Sequence, residues 1–135
     1  MIKAGIYVHI PFCKVKCLYC DFYSLAERED SIDKFINAIT KEIKMSSVDV
    51  SNWNIDTIFI GGGTPSILKG QQLEKIISAL SQKYDLTRLA EFTLEVNPGE
   101  ATIEDLKLYE SLGINRLSIG VQSFQIQLLK FLTRT

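Results

Sequence analysis

Apolar and polar positions along the chain fall into two alternating patterns. Short runs dense in β-branched and other apolar residues occupy 4–10, 55–60, 92–96 and 117–121, each of a length that suits a buried strand. Between them apolar side chains recur in steps of three and four, the spacing that gathers them on one face of a helix. Ile32, Phe35, Ile36, Ile39 and Ile43 follow the first run, Leu73, Ile76, Ile77, Leu80 and Tyr84 the second, and Leu106, Tyr109 and Leu112 the third. Asp30 or Ser31 is in position to cap the first helix. Thr102 with Asp105 three residues on reads as a capping box for the third, and Gly113 is placed to end it. A fourth helix is expected to begin after Ser123 and run through Leu128, Leu129 and Leu132. The serines and aspartates of 46–54 read as a surface loop within one domain.

Strand and helix in this order predict an α/β chain of four strand–helix units, with parallel strands and right-handed crossovers. In parallel α/β folds the ligand site lies at the carboxyl ends of the strands. The polar chemistry collects there. A cysteine-bearing loop follows the first run, Gly61-Gly62-Gly63-Thr64-Pro65 the second, Glu95 and Asn97 end the third, and Gln122 and Ser123 follow the fourth.

Composition narrows the setting. The 135 residues, 46% hydrophobic and 23% charged, are those of an ordinary globular domain with enough length for a sizeable core. A formal net charge of -1 offers no attraction to nucleic acid, and no apolar run approaches the length that spans a bilayer. The opening Met-Ile-Lys-Ala has neither the basic-then-apolar profile of an export signal nor the Arg- and Ser-rich one of a transit peptide. The expected compartment is the cytoplasm, where thiols stay reduced.

Cys13, Cys17 and Cys20 are the chain's three cysteines, with three and then two residues between them. Thiolates so grouped are metal ligands in the making. An iron–sulfur cluster held by three of them keeps one iron open for a cofactor or substrate. The rival is structural zinc, with His9 as a fourth ligand. An odd count argues against disulfides, and close clustering argues against thiols used only as core filler.

The tripartite cysteine motif, Tyr19 directly before its last cysteine and the glycine triplet after the second strand resemble the radical S-adenosylmethionine (SAM) superfamily. Tyr7-Val8-His9-Ile10-Pro11-Phe12-Cys13, Cys17-Leu18-Tyr19-Cys20-Asp21-Phe22, Gly61-Gly62-Gly63-Thr64-Pro65-Ser66, Glu95-Val96-Asn97-Pro98 and Arg116-Leu117-Ser118-Ile119-Gly120-Val121-Gln122-Ser123-Phe124 are similar to the anaerobic coproporphyrinogen oxidase group. The dehydrogenases of that group carry a further cysteine in the pattern Cys-x-Phe-Cys-Gly-Cys. Here Asp21-Phe22 stands instead, as in the haem chaperone branch.

The resemblance implies that Cys13, Cys17 and Cys20 bind a 4Fe-4S cluster whose fourth iron is left to SAM. It implies that Tyr7, Tyr19, Gly62, Gly63, Thr64, Glu95, Gln122 and Arg134 contact SAM or reach its site. On chemistry alone, glycines suit a backbone edge that a ligand must approach closely. Glu95, a carboxylate ending an apolar strand, needs a partner, a rim salt bridge being the plain alternative. Tyr7 could equally be strand packing and Tyr19 core filling. His9 reads as a hydrogen-bonded member of the site.

The family's partial barrel has six strand–helix units. Residues 1–135 are therefore expected to be the radical SAM core domain, incomplete at its C-terminal end, with an unprotected edge at the last strand. The expected function is a haem chaperone carrying haem as cargo to a client protein. The alternatives are oxygen-independent coproporphyrinogen III dehydrogenation and a structural zinc module. No nucleic-acid partner and no membrane association are expected.

Overall fold

The four apolar runs form one sheet. In a computed structural model that describes residues 2–134, the elements in chain order are β1 (Ile2–Ile10), β2 (Phe12–Cys13), β3 (Leu25–Ala26), α1 (Ile32–Met45), β4 (Trp53–Gly62), α2 (Gly70–Lys83), β5 (Glu91–Val96), α3 (Ile103–Ser111), β6 (Arg116–Ile119) and α4 (Ile126–Phe131). The main sheet has the order β1-β4-β5-β6, every pair parallel. Each crossover carries one helix, α1, α2 and then α3, and the strands lie side by side in chain order. The sheet thus never reverses direction, as a doubly wound sheet does at its switch point.

Residue alternation along the strands separates two faces. Val8, Ile10, Ile58, Ile60, Phe92, Leu94 and Val96 are buried together with Ile32 and Ile36 of α1 and Leu73, Ile76 and Leu80 of α2. Each such side chain contributes roughly 1.5–3 kcal/mol by leaving water. The other face carries Tyr7, Phe59, Thr93 and Arg116 in one register row, with His9 opposite Gly61 and Glu95 opposite Ser118 further along. Thr93 is fully buried in that row, and its hydroxyl donates to Glu91 (2.8 Å) and accepts from Arg116 (3.2 Å). A buried hydroxyl so paired carries no desolvation penalty.

The ends of elements depart from the pattern in specific ways. Thr102 and Asp105 form the expected reciprocal cap, and Gly113 turns the chain off α3 with φ +88°. Ser31 makes no side-chain cap, because a 3-10 turn over Glu29–Ser31 runs straight into α1. The fourth strand covers Arg116–Ile119 where 117–121 was expected. Beyond it, the Val121 and Ser123 amides bond carbonyls only two residues back (3.0 and 2.7 Å), which folds the segment out of the sheet. The fourth helix is correspondingly short, Ile126–Phe131.

Candidate functional site

The cysteine loop is built from its base upward. β2 pairs in parallel with β3, and the Leu25 amide donates to the Pro11 carbonyl at 2.6 Å, so the ends of the loop are tied together. Within it, Lys16 Nζ donates to the Phe22 carbonyl and to Ser24 Oγ, both at 2.7 Å. The Cys20 amide closes a turn on the Cys17 carbonyl (3.1 Å). All three thiols are free, Cys13 buried and Cys17 and Cys20 half-buried.

The glycine segment is locked against the start of this loop. Gly63 N donates to Ile10 O and Thr64 N to Phe12 O, both at 2.8 Å. Gly62 has φ +119°, and a Cβ there would also meet the His9 ring at 2.9 Å. A Cβ on Gly63 would stand 2.6 Å from Phe12 O and 2.9 Å from Cys13 Sγ. These positions accept only glycine, for backbone strain at Gly62 and for close approach at Gly63. Glu95 reaches across from β5, and one of its carboxylate oxygens accepts the Gly62 amide at 3.0 Å. Among the described residues Glu95 makes no ion pair, so the rim salt bridge weighed from the sequence is not formed.

His9 is engaged at both ring nitrogens. Its Nε2 lies 2.9 Å from the Tyr23 carbonyl, which can only accept. In the neutral ring the proton therefore sits on Nε2, and Nδ1 accepts the Tyr7 hydroxyl at 3.0 Å. Partial burial, then the nearby Glu95 charge, push the Tyr7 phenol above its ordinary pKa. A histidine so used has no lone pair left for zinc. Among the described residues no three His, Cys, Asp or Glu groups converge to hold a single metal ion. Three free thiols on one loop suit a 4Fe-4S cluster with one open iron.

The far end of the chain clasps the loop. Arg134 directs one guanidinium nitrogen at Cys17 Sγ (3.8 Å), and the other donates to Asn97 Oδ1 (2.5 Å) and the Gly120 carbonyl (2.7 Å). The Leu18 amide donates to Thr133 Oγ1 at 3.2 Å. Asn97 Nδ2 in turn donates to Thr64 Oγ1 (3.2 Å), which lies 3.5 Å from Cys13 Sγ.

These parts enclose one cavity of about 1130 Å³ at the carboxyl ends of the strands. Cys13, Cys17, Cys20, Tyr19, Gly62, Gly63, Thr64, Glu95, Gln122 and Arg134 all border it. Tyr7 does not; it stands one row back, behind His9. Tyr19 is 45% exposed and so is not core filling. Burial raises its phenol pKa, and Arg134 partly opposes that rise. Gln122 holds φ +63° where the chain leaves β6.

Sequence reasoning left two polar residues without a role. Asn97 sits two positions beyond Glu95, a spacing that returns it to the cavity side, and that was the available signal. Lys16 had none, because its partners are a backbone carbonyl and a serine fixed only by the folded loop.

A parallel, one-directional α/β sheet with a three-thiol loop and a glycine edge at its carboxyl rim defines a class. The chain belongs to the radical SAM superfamily, whose family model matches residues 7–135. Among curated relatives, the chain is 42% identical over 129 residues to the heme chaperone HemW of Lactococcus lactis, covering 96% of this chain and 33% of that protein. It is 38% identical over 131 residues to the heme chaperone HemW of Escherichia coli, covering 96% and 35%. Among solved structures, it superposes on the Escherichia coli coproporphyrinogen III oxidase HemN, described as a radical SAM enzyme. That match has a TM-score of 0.89 at 29% identity and covers 99% of this chain and 31% of the other. The chain spans about a third of the length of the relatives it matches.

Proposed function

We propose that this chain supplies the cluster- and SAM-binding part of a haem chaperone, with residues 1–135 belonging to its radical SAM core domain. The observation that carries the proposal is the convergence of three free thiols, a glycine edge, Glu95 and Arg134 on one cavity. Cys13, Cys17 and Cys20 would hold the 4Fe-4S cluster. Gly62, Gly63 and Thr64 offer SAM a backbone edge, Glu95 an anionic oxygen for its amino group, Tyr19 a ring face and Gln122 an amide at the rim. Tyr7 acts from behind, holding His9 and through it the Tyr23 end of the loop. Arg134 braces Cys17 against the third strand. When bound, the cluster and SAM together supply one-electron cleavage of the sulfonium to a 5'-deoxyadenosyl radical.

The haem assignment rests on relatives named as heme chaperones and on Asp21-Phe22 in place of a further cysteine. Haem would be cargo for a client protein. Among the described residues no helix is long and apolar enough to cross a membrane, and we assign the protein to the cytoplasm. A second reading, oxygen-independent coproporphyrinogen III dehydrogenation, draws on the structural likeness to HemN.

Electron paramagnetic resonance of the anaerobically reconstituted, reduced protein tests the core of the proposal. A 4Fe-4S signal that changes on adding SAM is expected. Colourless protein with stoichiometric zinc overturns it. Stoichiometric haem uptake without coproporphyrinogen turnover supports the chaperone, whereas substrate-dependent carbon dioxide and 5'-deoxyadenosine support the dehydrogenase.

A further inference from the structure

Asn97 and Thr64 form a relay that ends on a cysteine sulfur, and chemistry fixes the direction of each bond in it. The Arg134 guanidinium has donors only, so the Asn97 atom facing it must be the carbonyl oxygen Oδ1. The amide nitrogen Nδ2 must then face Thr64, 3.2 Å from its hydroxyl oxygen. That oxygen is thereby occupied as an acceptor, and its proton is left to point elsewhere. Cys13 Sγ lies 3.5 Å away, within reach of a hydrogen bond to sulfur. Thr64 is 5% exposed, so little water reaches it to compete for the proton. The Thr64 backbone cannot drift, because its amide is bonded to Phe12 O, in the residue before Cys13.

From this we infer that Asn97 is a positioning residue that aims the Thr64 hydroxyl proton at the Cys13 sulfur and so tunes the reduction potential of the cluster held there. The inference rests on the cluster-binding reading above. A hydrogen bond to a cluster thiolate stabilises the more negative, reduced state, and in a site shielded from water it acts at full strength. Arg134 makes the matching contact on Cys17. A polar chain therefore runs from Cys13 through Thr64, Asn97 and Arg134 to Cys17. The amide is the one link in it that can both donate toward Thr64 and accept from Arg134.

Asn97→Asp tests this sharply. The aspartate is nearly the same size and keeps its acceptor for Arg134, but it has no proton for Thr64. The Thr64 hydroxyl would turn to donate to the new carboxylate, away from sulfur. The measurement is an anaerobic redox titration of the reconstituted protein, followed by electron paramagnetic resonance, with iron content and thermal unfolding recorded beside it. Thr64→Val is expected to move the midpoint to more negative potential and Thr64→Ser to restore it.

Asn97→Asp also adds a charge near the cluster, so its through-hydroxyl effect is isolated in a double-mutant cycle. Its shift in the Thr64→Val background is expected to be smaller than in wild type, because no hydroxyl remains there to turn. If Thr64→Val does not fold, Thr64→Ala, which also lacks the hydroxyl, takes its place in the cycle with the same expectation. Fully additive shifts, or an unchanged midpoint in Thr64→Val or Asn97→Asp, overturn the relay while leaving the cluster site intact. A wild-type protein that assembles no cluster overturns the underlying reading, and the relay with it.

Discussion

Leu94 and Glu95 are neighbours on one strand, yet they belong to different parts of the molecule. Leu94 faces α1 and α2 and is fully buried, while Glu95 faces the cavity and bonds the Gly62 amide. The same division runs through Ile60 and Gly61 on β4 and through Val8 and His9 on β1. One face holds the sheet together by excluding water. The other holds polar groups in place by hydrogen bonds that the first face makes rigid. A two-residue period lets a single strand serve both ends, so stability and chemistry can be varied at adjacent positions.

Adjacent substitutions give the sharpest test of that division. Leu94→Ala should lower unfolding free energy by about 2–5 kcal/mol in urea denaturation, through lost burial and a residual cavity. Glu95→Gln should cost only about 1 kcal/mol, since a carbonyl oxygen still accepts the Gly62 amide. It should nevertheless weaken SAM binding by calorimetry on the order of tenfold or more through loss of the anionic partner. Equal losses of stability in the two variants would break the comparison.

Gly63→Ala probes the seam between the two regions. Its Cβ has no room beside Phe12 O and Cys13 Sγ, so a destabilisation of about 1–3 kcal/mol is expected, with iron content after reconstitution falling as well. Lys16→Met lies wholly on the site side. It should leave the global unfolding free energy within about 1.5 kcal/mol of wild type while speeding amide exchange across residues 14–24, and Lys16→Arg should slow that exchange again. Unchanged exchange in the methionine variant would mean that the two Lys16 bonds do not brace the loop.

The smallest effect belongs to the cap of α3, remote from the cavity. Hydrogen bonds from the Thr102 backbone and hydroxyl hold the Asp105 pKa below the usual carboxylate value. A depressed pKa in the folded state means that the contribution is complete above the unfolded-state pKa and is lost as pH falls through the folded one. Acid titration of stability should therefore show a slightly shallower low-pH limb in Thr102→Val, with SAM binding at neutral pH unchanged.

Much of the helix-covered face could be read from the sequence, because burial imposes periodicity and periodicity is visible in one dimension. Ile58, Ile60, Leu73, Ile76 and Leu80 declare themselves in that way. The thiols, Gly62 and Glu95 were also legible, since few structural roles suit such residues at a strand end. What could not be read are features that exist only once distant segments meet. The two-residue strands β2 and β3 are set by pairing across the cysteine loop, and the early end of β6 follows from turns at Val121 and Ser123. Tyr7, matched to the cofactor site by resemblance, lies one row back on its strand, where its hydroxyl is bonded to His9.

The clasp made by Arg134 adds an order in time. The Arg134–Cys17 contact joins residues 117 positions apart, so a ribosome adding about 5–20 residues per second needs roughly 6–23 s to pass from one to the other. Both residues pass through the same tunnel, so a similar interval separates their emergence, and until Arg134 is out the loop lacks its contact at Cys17. Iron delivered early would meet accessible thiols, and iron delivered late would meet a loop already pinned at Cys17 and Leu18. The position of one arginine thus sets how late in synthesis the loop is pinned at Cys17.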